Sequence, residues 1–190
     1  MKKNFKNNQA GFSLAEMIVS IFIIVTIASL FIANYRSVNK RTDLIMSAQK
    51  LTADIHYAQN NTLGLVTYNG AVPAGGWGIH LEAGTSTYVI FADLDAPGTG
   101  GYLEYDNGEG EINYGARLTD LGPDVEILSL TTATAGTDSA NITFLPPDPQ
   151  TNIYDGSATS TVLTVVLREK QNNSIKTVRV NFLGLAEVLD

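Results

Sequence analysis

An apolar, uncharged run near the amino end constrains this chain more than any other feature. No charged residue occurs from Met17 to Tyr35, and one acid, Glu16, stands directly before the run. About 20 consecutive apolar residues can span a bilayer as a helix, so the sequence predicts a transmembrane segment. An ionised carboxylate in hydrocarbon costs about 3 kcal/mol on insertion scales, and such a group usually has a functional partner. Glu16 is therefore the first candidate functional residue.

Two simpler interpretations of the amino end compete with a specialised one. A secretory signal peptide would be cleaved after its apolar block, where FIAN (31–34) could serve as the site. Its apolar region usually has roughly 7 to 15 residues, fewer than Met17 to Tyr35 contains. A plain membrane anchor fits the length, but it leaves Glu16 and the Gly11–Phe12 junction unexplained.

The stretch GFSLAEMIVSIFII, which starts at Gly11 and follows the basic leader MKKNFK, resembles the amino-terminal signature of type IV pilins and type II secretion pseudopilins. The shared features are a glycine, an aromatic residue, a glutamate four residues after the aromatic, and an apolar helix. This resemblance implies that a prepilin peptidase cleaves between Gly11 and Phe12 on the cytoplasmic side. It also implies that the new amine of Phe12 is methylated, and that Glu16 pairs with the amine of a neighbouring subunit during filament assembly.

The charges of the leader predict the orientation in the membrane. Lys2, Lys3 and Lys6 precede the apolar run, and positive charge favours the cytoplasmic side. We therefore expect a single-pass protein of the cytoplasmic membrane, with its amino terminus inside and its head outside, that later enters an extracytoplasmic filament. The expected partners are the prepilin peptidase, other pilin or pseudopilin subunits, and the membrane.

The apolar pattern changes after Arg36 from one that surrounds the helix to one that follows a single face. Apolar residues then recur at spacings of four and three, as in an amphipathic helix: they are Leu44, Ala48, Leu51, Ile55 and Ala58. No Pro or Gly occurs between Phe12 and Thr62, which predicts one helix of about 50 residues. The predicted domains are a cleaved leader (1–11), a transmembrane or filament-core helix (12–35), its amphipathic continuation (36–64) and a head (65–190).

Beyond Gly64, short apolar runs separated by Gly, Pro, Asn and Asp are typical of antiparallel strands. The predicted strands are 65–69, 76–82, 86–92, 125–130, 141–145, 161–168 and 174–182, with EKQNN joining the last two. The predicted core aromatics are Trp77, Tyr88, Phe91 and Phe144. The fold class is thus α+β, a long helix followed by an antiparallel head. Its order, with a GWGI strand, ITFLP and a closing TVRVNFLGLAEV, is similar to the H-type minor pseudopilins.

The segment from Phe91 to Gly115 is the most acidic part of the chain and is a candidate calcium site. A 12-residue calcium loop beginning at Asp93 would place Asp95 at position three, Gly98 at position six and Glu104 at position twelve. Positions five and nine are Pro97 and Gly101, which offer no side-chain ligand. The alternative interpretation, which we favour, is a solvated glycine-rich connection.

Composition excludes several other functions. The chain has no Cys, so it has neither disulfides nor a thiolate metal site. Its formal charge of −7 disfavours a nucleic-acid-binding surface. His56 and His80 have no second ligand at metal spacing, and no nucleophile elbow, phosphate loop or H-E-x-x-H motif occurs. We therefore expect that the protein is not an enzyme and that it binds no cofactor other than the candidate calcium ion.

Two functions remain open on the sequence. The first is a structural subunit of a type IV pilus-like or type II secretion filament, and the resemblance implies the minor pilin or pseudopilin kind. The second is a membrane-anchored or tip-located adhesin or cargo-binding protein. Both use the same anchor, so the amino-terminal motif does not separate them.

Overall fold

The structure is a computed structural model that describes residues 13–106, 117–133, 135–147 and 150–189. The chain divides into two compact units, Met1–Asn39 and Lys40–Asp190. One α-helix, α1 (Leu14–Leu63), is followed by strands, which gives the α+β layout that the sequence predicted. The predicted domain boundaries at 11, 35 and 64 stay predictions.

Helix α1 has 50 residues, which confirms the predicted length. It begins after Ser13, whose hydroxyl Oγ accepts the amide of Glu16 at 3.2 Å and so satisfies one of the free donors of the first turn. At its other end, the amide of Val66 donates to the carbonyl of Asn61 at 2.9 Å, which is the long hydrogen bond of a Schellman motif. Leu65 occupies the left-handed position of that motif with φ of +48°, where glycine is usual.

The second half of α1 packs into the core of the head, as its amphipathic pattern predicted. Leu44, Ala48, Leu51, Ile55 and Ala58 are each at most 1% exposed. Polar contacts fix this part of the helix to the strands. The Ser47 hydroxyl donates to the carbonyl of Leu121 at 2.6 Å, and the Tyr88 hydroxyl donates to the Asp54 carboxylate at 2.6 Å.

The head contains two sheets in which all described pairings are antiparallel. The first sheet has the order β3-β2-β1-β6-β7-β8 and the second has the order β11-β10-β9-β4-β5. The strands of the first sheet are β1 (Gly76–Glu82), β2 (Thr87–Asp93), β3 (Arg117–Asp120), β6 (Ser139–Leu145), β7 (Gln150–Tyr154) and β8 (Thr159–Ser160). Those of the second are β4 (Val125–Thr132), β5 (Gly136–Thr137), β9 (Val162–Glu169), β10 (Ile175–Asn181) and β11 (Ala186–Leu189).

Residues from α1 and both sheets share one buried cluster. In the first sheet, Ile79 lies opposite Ile90 on one side and Ile142 on the other, and all three are at most 1% exposed. In the second sheet, Val165 and Val178 are register partners and are fully buried. Because side chains alternate across a strand, the residues between these positions point to the opposite face of each sheet.

Six of the seven predicted strands are present, with boundaries that shift by up to two residues. The prediction of a strand over 65–69 is wrong, because this segment follows α1, caps its last turn and then forms a tight turn in which Tyr68 bridges to Ala71. Strands β3, β5, β7, β8 and β11 were not predicted. The segment EKQNN does join two antiparallel strands, β9 and β10, although β11 follows them.

The four aromatic residues predicted in the head core are all buried, but they do not form one group. Trp77, Tyr88 and Phe144 belong to the main cluster. Phe91 is fully buried and points to the other face of the first sheet, where it contacts Tyr105 at a ring-centroid distance of 5.6 Å. That outer face is where the candidate calcium loop lies.

Candidate functional site

The segment Leu14–Ile32 has the length and composition of a membrane-spanning helix. It contains 19 residues with a mean hydropathy of 2.5, and none of it is buried. Large apolar side chains such as Phe22, which is 71% exposed, surround the helix. Removing such a surface from water is strongly favourable, whether lipid or other apolar helices cover it.

The hydroxyl side chains inside this segment are compatible with hydrocarbon because each donates a hydrogen bond within the helix. Ser20 donates to the carbonyl of Glu16 and Thr26 donates to that of Phe22, both at 2.8 Å, while Ser29 donates to Thr26 at 2.8 Å. An unsatisfied polar group in lipid would cost several kcal/mol. These residues therefore do not need a partner outside their own helix.

Glu16 differs from these hydroxyl groups because it carries charge. It lies in the first turn of α1 and is exposed. Negative charge near a helix amino terminus interacts favourably with the helix dipole, which gives Glu16 a local reason to occupy this position. The predicted cleavage and methylation residues, Gly11 and Phe12, lie outside the described residues.

Asp93, the first predicted calcium ligand, has a local role in the acidic loop. Its side chain is fully buried at the end of β2. One carboxylate oxygen accepts the amide of Asp95 at 2.8 Å and the other accepts the amide of Leu103 at 2.6 Å. The carboxylate thus fastens the two ends of the loop 94–103 to the sheet. Gly75 leaves the room for it, since a Cβ there would overlap the same carboxylate.

The other two predicted ligands are more accessible than Asp93. Asp95 and Glu104 are half-buried, and the hydroxyl of Thr99 is 3.5 Å from the Asp95 carboxylate. Within residues 13–106, 117–133, 135–147 and 150–189, the structure brings together no group of three His, Asp or Glu side chains arranged to hold a metal. Calcium binding by Asp93, Asp95 and Glu104 stays a prediction. The hydrogen bonds that Asp93 accepts give this acid a structural role that does not require calcium.

The loop also covers an aromatic cluster that the sequence did not predict. The Tyr105 ring lies 4.9 Å from the His80 ring and 5.6 Å from the Phe91 ring, between centroids. The Asn141 side-chain oxygen joins them, because it lies 2.8 Å from His80 Nδ1 and accepts the Tyr105 amide at 3.3 Å. His80 is therefore a half-buried sheet residue with a local hydrogen-bond partner.

Gly78 makes this second cluster possible. A Cβ at Gly78 would lie 2.8 Å from the Phe91 ring and from a backbone oxygen of Ile142, closer than real Cβ atoms approach. The alternation of β1 places Gly78 on the same outer face as His80. The sequence signal was the glycine inside the strand pattern GWGIHLE, which indicates close approach by another group.

Hydrogen bonds in a tight turn lower the pKa of Asp155. The amide of Ala158 and the hydroxyl and amide of Ser157 donate hydrogen bonds to its carboxylate and lower its pKa below the ordinary 3.8. These contacts close the turn between β7 and β8. The role of Asp155 is structural, because the hydrogen bonds that stabilise its charged form belong to the turn itself.

Another surface feature lies where α1 ends. No Asp, Glu, Lys or Arg occurs from Ile55 to Leu81, although the chain as a whole is acidic. Leu65, Leu183 and Leu185 are 47%, 68% and 56% exposed. The turn that carries the last two approaches the helix, since a Cβ at Gly184 would lie 2.6 Å from the Gln59 side chain. Exposed apolar side chains thus occur both just after the end of α1 and in a turn that approaches its last part.

Together, the layout of an apolar amino-terminal helix and an antiparallel head fits a pilin-like protein. The amino-terminal segment carries a specific family signature as well: residues 6–32 match the family described as the prokaryotic N-terminal methylation motif. This is the prepilin-type signature of type IV pilins and pseudopilins, so the resemblance noted at GFSLAEMIVSIFII is confirmed. No curated protein and no solved structure matches the chain.

Proposed function

We propose that this protein is a structural subunit, of the minor pilin or pseudopilin kind, of a type IV pilus-like or type II secretion filament. The observation that carries the proposal is the match of residues 6–32 to the methylation motif. The motif belongs to structural subunits, so no catalytic role is proposed. The exposed apolar helix supports the same function because it can be buried first in a membrane and then among other helices.

Maturation would begin at the membrane. The prepilin peptidase cleaves between Gly11 and Phe12 at the cytoplasmic face, and Phe12 becomes the methylated first residue of the mature chain. The three leader lysines hold the uncleaved terminus inside, so the head lies outside. Glu16 then lies four residues from a positively charged amine in every mature subunit.

Assembly would use that charge pair between subunits. A carboxylate alone in an apolar helix bundle is costly, and so is a lone amine, but a pair relieves both. Removing one partner of a buried ion pair usually costs about 3 to 5 kcal/mol. Glu16 thus favours the register in which the amine of a neighbour reaches it, and it disfavours registers that leave it unpaired.

The test is substitution of Glu16 by alanine in cells that assemble the filament. We expect normal cleavage, measured by the mass of the amino terminus, and a large loss of the subunit from sheared filaments, measured by immunoblot. Asp43→Ala, which removes an exposed acid of the same helix beyond the apolar segment, is the matched control and should incorporate normally. Normal incorporation of Glu16→Ala would reject the charge-pair mechanism.

A second candidate function is that of a tip-located subunit whose head binds an uncharged apolar protein surface. The observation that favours it is the exposure of Leu65, which lies in a segment without Asp, Glu, Lys or Arg, and of Leu183 and Leu185 in a turn that approaches the helix. Exposed apolar residues that cluster on a soluble head often mark an interaction surface. Labelling purified filaments separates the two candidates: label along the whole filament indicates a main structural subunit, and a single spot at one end indicates a tip subunit.

A further inference from the structure

In the described part of the chain, the two sheets end in four edge strands, which differ in how they are covered. β5 and β8 have two residues each, and the chain beside them is joined, because the Ala133 amide donates to the Ser160 hydroxyl at 2.9 Å. At β3, Lys50 of α1 donates to the carbonyl of Asp120. Short edges and covered edges are common protections against pairing with another chain. The fourth edge, β11, has four residues and pairs with β10 on one side.

Main-chain hydrogen bonds show which groups of β11 are directed to its open side. The amide of Asn181 donates to the carbonyl of Leu185 at 3.1 Å, so these two residues form a hydrogen-bonded pair that continues the β10–β11 register. Hydrogen-bonded and non-hydrogen-bonded pairs alternate along an antiparallel ladder. Glu187 is therefore bonded to β10, whereas the N–H and C=O groups of Ala186 and Val188 are directed away from β10, toward the edge.

The turn that precedes β11 presents apolar side chains from an ordered backbone. The side-chain oxygen of Asn181 accepts the amides of Leu183 and Leu185 at 3.0 and 3.1 Å. The amide of Phe182 donates to the carbonyl of Thr161 at 2.9 Å. Polar residues are usual in turns, yet Phe182, Leu183 and Leu185 are 56%, 68% and 56% exposed. Because the backbone is already ordered, a contact with these side chains loses little conformational entropy.

The alternation of side chains along β11 defines what could lie beside it. Leu185, Glu187 and Leu189 share the outer face, whereas Ala186 and Val188 are on the core side. A neighbouring strand therefore matches β11 when it has a cation opposite Glu187 and apolar residues opposite the other four positions. Opposite charges on directly opposed residues are favourable, and Glu187 is exposed.

We propose that the β11 edge binds an extended segment of a partner protein as an added antiparallel strand, with a lysine or arginine opposite Glu187 and apolar residues on both sides of that cation. Main-chain hydrogen bonds supply the affinity in this mode of recognition, and alternate side chains supply the specificity. The formal charge of −7 also favours a basic partner. This edge is separate from residues 6–32, so the inference goes beyond the proposed function and does not rest on it.

The same edge of a second copy is a poorer partner. The antiparallel register that joins the outward groups of Ala186 to those of Val188 in the other copy places the two Glu187 side chains directly opposite each other. Like charges at directly opposed positions are destabilising. The charge pattern therefore favours a segment of different sequence.

Binding of a designed peptide to the full chain in nanodiscs tests the proposal, with empty nanodiscs as the blank. The peptide has a central lysine, two valines on each side of it and a threonine at both ends. A fluorophore at one end reports binding by its anisotropy, and we expect saturable binding to the loaded discs only. Replacing the central lysine by glutamate places two acids opposite each other, which should weaken binding by about fivefold.

Methylation of chosen peptide nitrogens separates strand addition from a general apolar contact. In the proposed register, the amides of the two valines next to the lysine donate to Ala186 and Val188, whereas the lysine amide is directed away from β11. Methylation of those two valine nitrogens should weaken binding by about tenfold or more, because two hydrogen bonds are lost. Methylation of the lysine amide alone should leave binding unchanged.

Variants of the chain locate the contact. Glu187→Lys should reverse the preference, so that the glutamate peptide binds more tightly than the lysine peptide. Leu185→Ser should weaken binding of the lysine peptide. Leu118→Ser, which changes a 69% exposed leucine of β3, is the matched control and should leave binding unchanged. The fluorescence of Trp77 during unfolding checks that each variant is folded.

Four results would overturn the inference. The first is binding no greater than to empty discs, and the second is equal binding of the peptide that is methylated at the two valine nitrogens. The third is an unchanged preference for the lysine peptide in Glu187→Lys. The fourth is loss of the peptide when each disc holds two chains, which would assign the edge to a second copy.

Discussion

Replacing Asp93 by alanine removes the group that fastens both ends of the acidic loop to the first sheet. The buried carboxylate accepts the amide of Asp95 at 2.8 Å and that of Leu103 at 2.6 Å. A hydrogen bond to a charged group contributes about 1.5 to 3 kcal/mol. Loss of two such bonds therefore predicts a decrease of about 3 to 6 kcal/mol in the free energy of unfolding. Asp93→Asn keeps one acceptor oxygen and should lose about half as much.

The assay is denaturant unfolding followed by the fluorescence of Trp77. This is the one tryptophan of the chain, and it is 9% exposed beside the main core, so its emission reports unfolding of the head. Asp95→Asn is the matched control, since this half-buried acid has one weak side-chain contact, with Thr99 at 3.5 Å. Its unfolding free energy should change by less than about 1 kcal/mol, as is usual for an exposed pair of groups.

The same experiment separates loop fastening from calcium binding. If hydrogen bonds alone explain Asp93, a chelator and added calcium leave the unfolding midpoint of the unmodified chain unchanged. If calcium binds, chelation lowers that midpoint and Asp93→Ala no longer responds to the ion. An Asp93→Ala chain within about 0.5 kcal/mol of the unmodified one would refute the reasoning from the two hydrogen bonds, because that change is no larger than for an ordinary surface substitution.

Three further predictions concern the head. Gly78→Ala should destabilise it by about 1 to 3 kcal/mol through overpacking against Phe91, whereas Gly100→Ala, with open space around its Cβ, should be nearly neutral in the same fluorescence assay. Leu65→Gly should raise the unfolding free energy by up to about 1 kcal/mol because it relieves a left-handed leucine; an unchanged or lower value would contradict this. Asp155→Ala should destabilise the head fully above about pH 4 and progressively less as the pH falls further. The lowered pKa of Asp155 adds stability that is present above its unfolded pKa of 3.8 and is lost as the pH falls through the folded value, so equal effects at pH 3 and pH 7 would contradict its role.

Helix α1 and the central strands could be predicted because their patterns are strong and local. The apolar run, the absence of Pro and Gly and the face formed by residues such as Leu44 and Ile55 define the helix. The strand pattern of 65–69 gave a wrong prediction because Leu65 and Val66 terminate the helix through main-chain hydrogen bonds. The side chains of Leu65 and Val66 are exposed, so these two apolar residues do not contribute to the core as a buried strand would.

The strands that were missed are short or polar, and their pairing partners are distant in sequence. β7 (Gln150–Tyr154) contains one fully buried apolar residue, Ile153, and it is a strand because it pairs with β6. The cluster of Phe91, Tyr105 and His80 was missed for a related reason. Its members come from two strands and a loop, and their contact depends on the space left by Gly78. Such tertiary contacts leave only a weak local signal in the sequence.

The site residues divide in the same way. The methylation motif was recognisable because its residues are consecutive and their order is specific, and residues 6–32 match it. The acids of the loop match part of the calcium-loop pattern. That pattern could not indicate that the carboxylate of Asp93 accepts hydrogen bonds from two main-chain amides.

The central claim is that the chain is processed as a prepilin, and the mass of the amino-terminal peptide of protein extracted from cells tests it most directly. The account predicts a peptide that begins at Phe12 and carries one additional methyl group on its amine. A chain that still begins at Met1, or one cut after the apolar segment instead of before it, would contradict the account, since Glu16 would then lack the amine that makes its position useful.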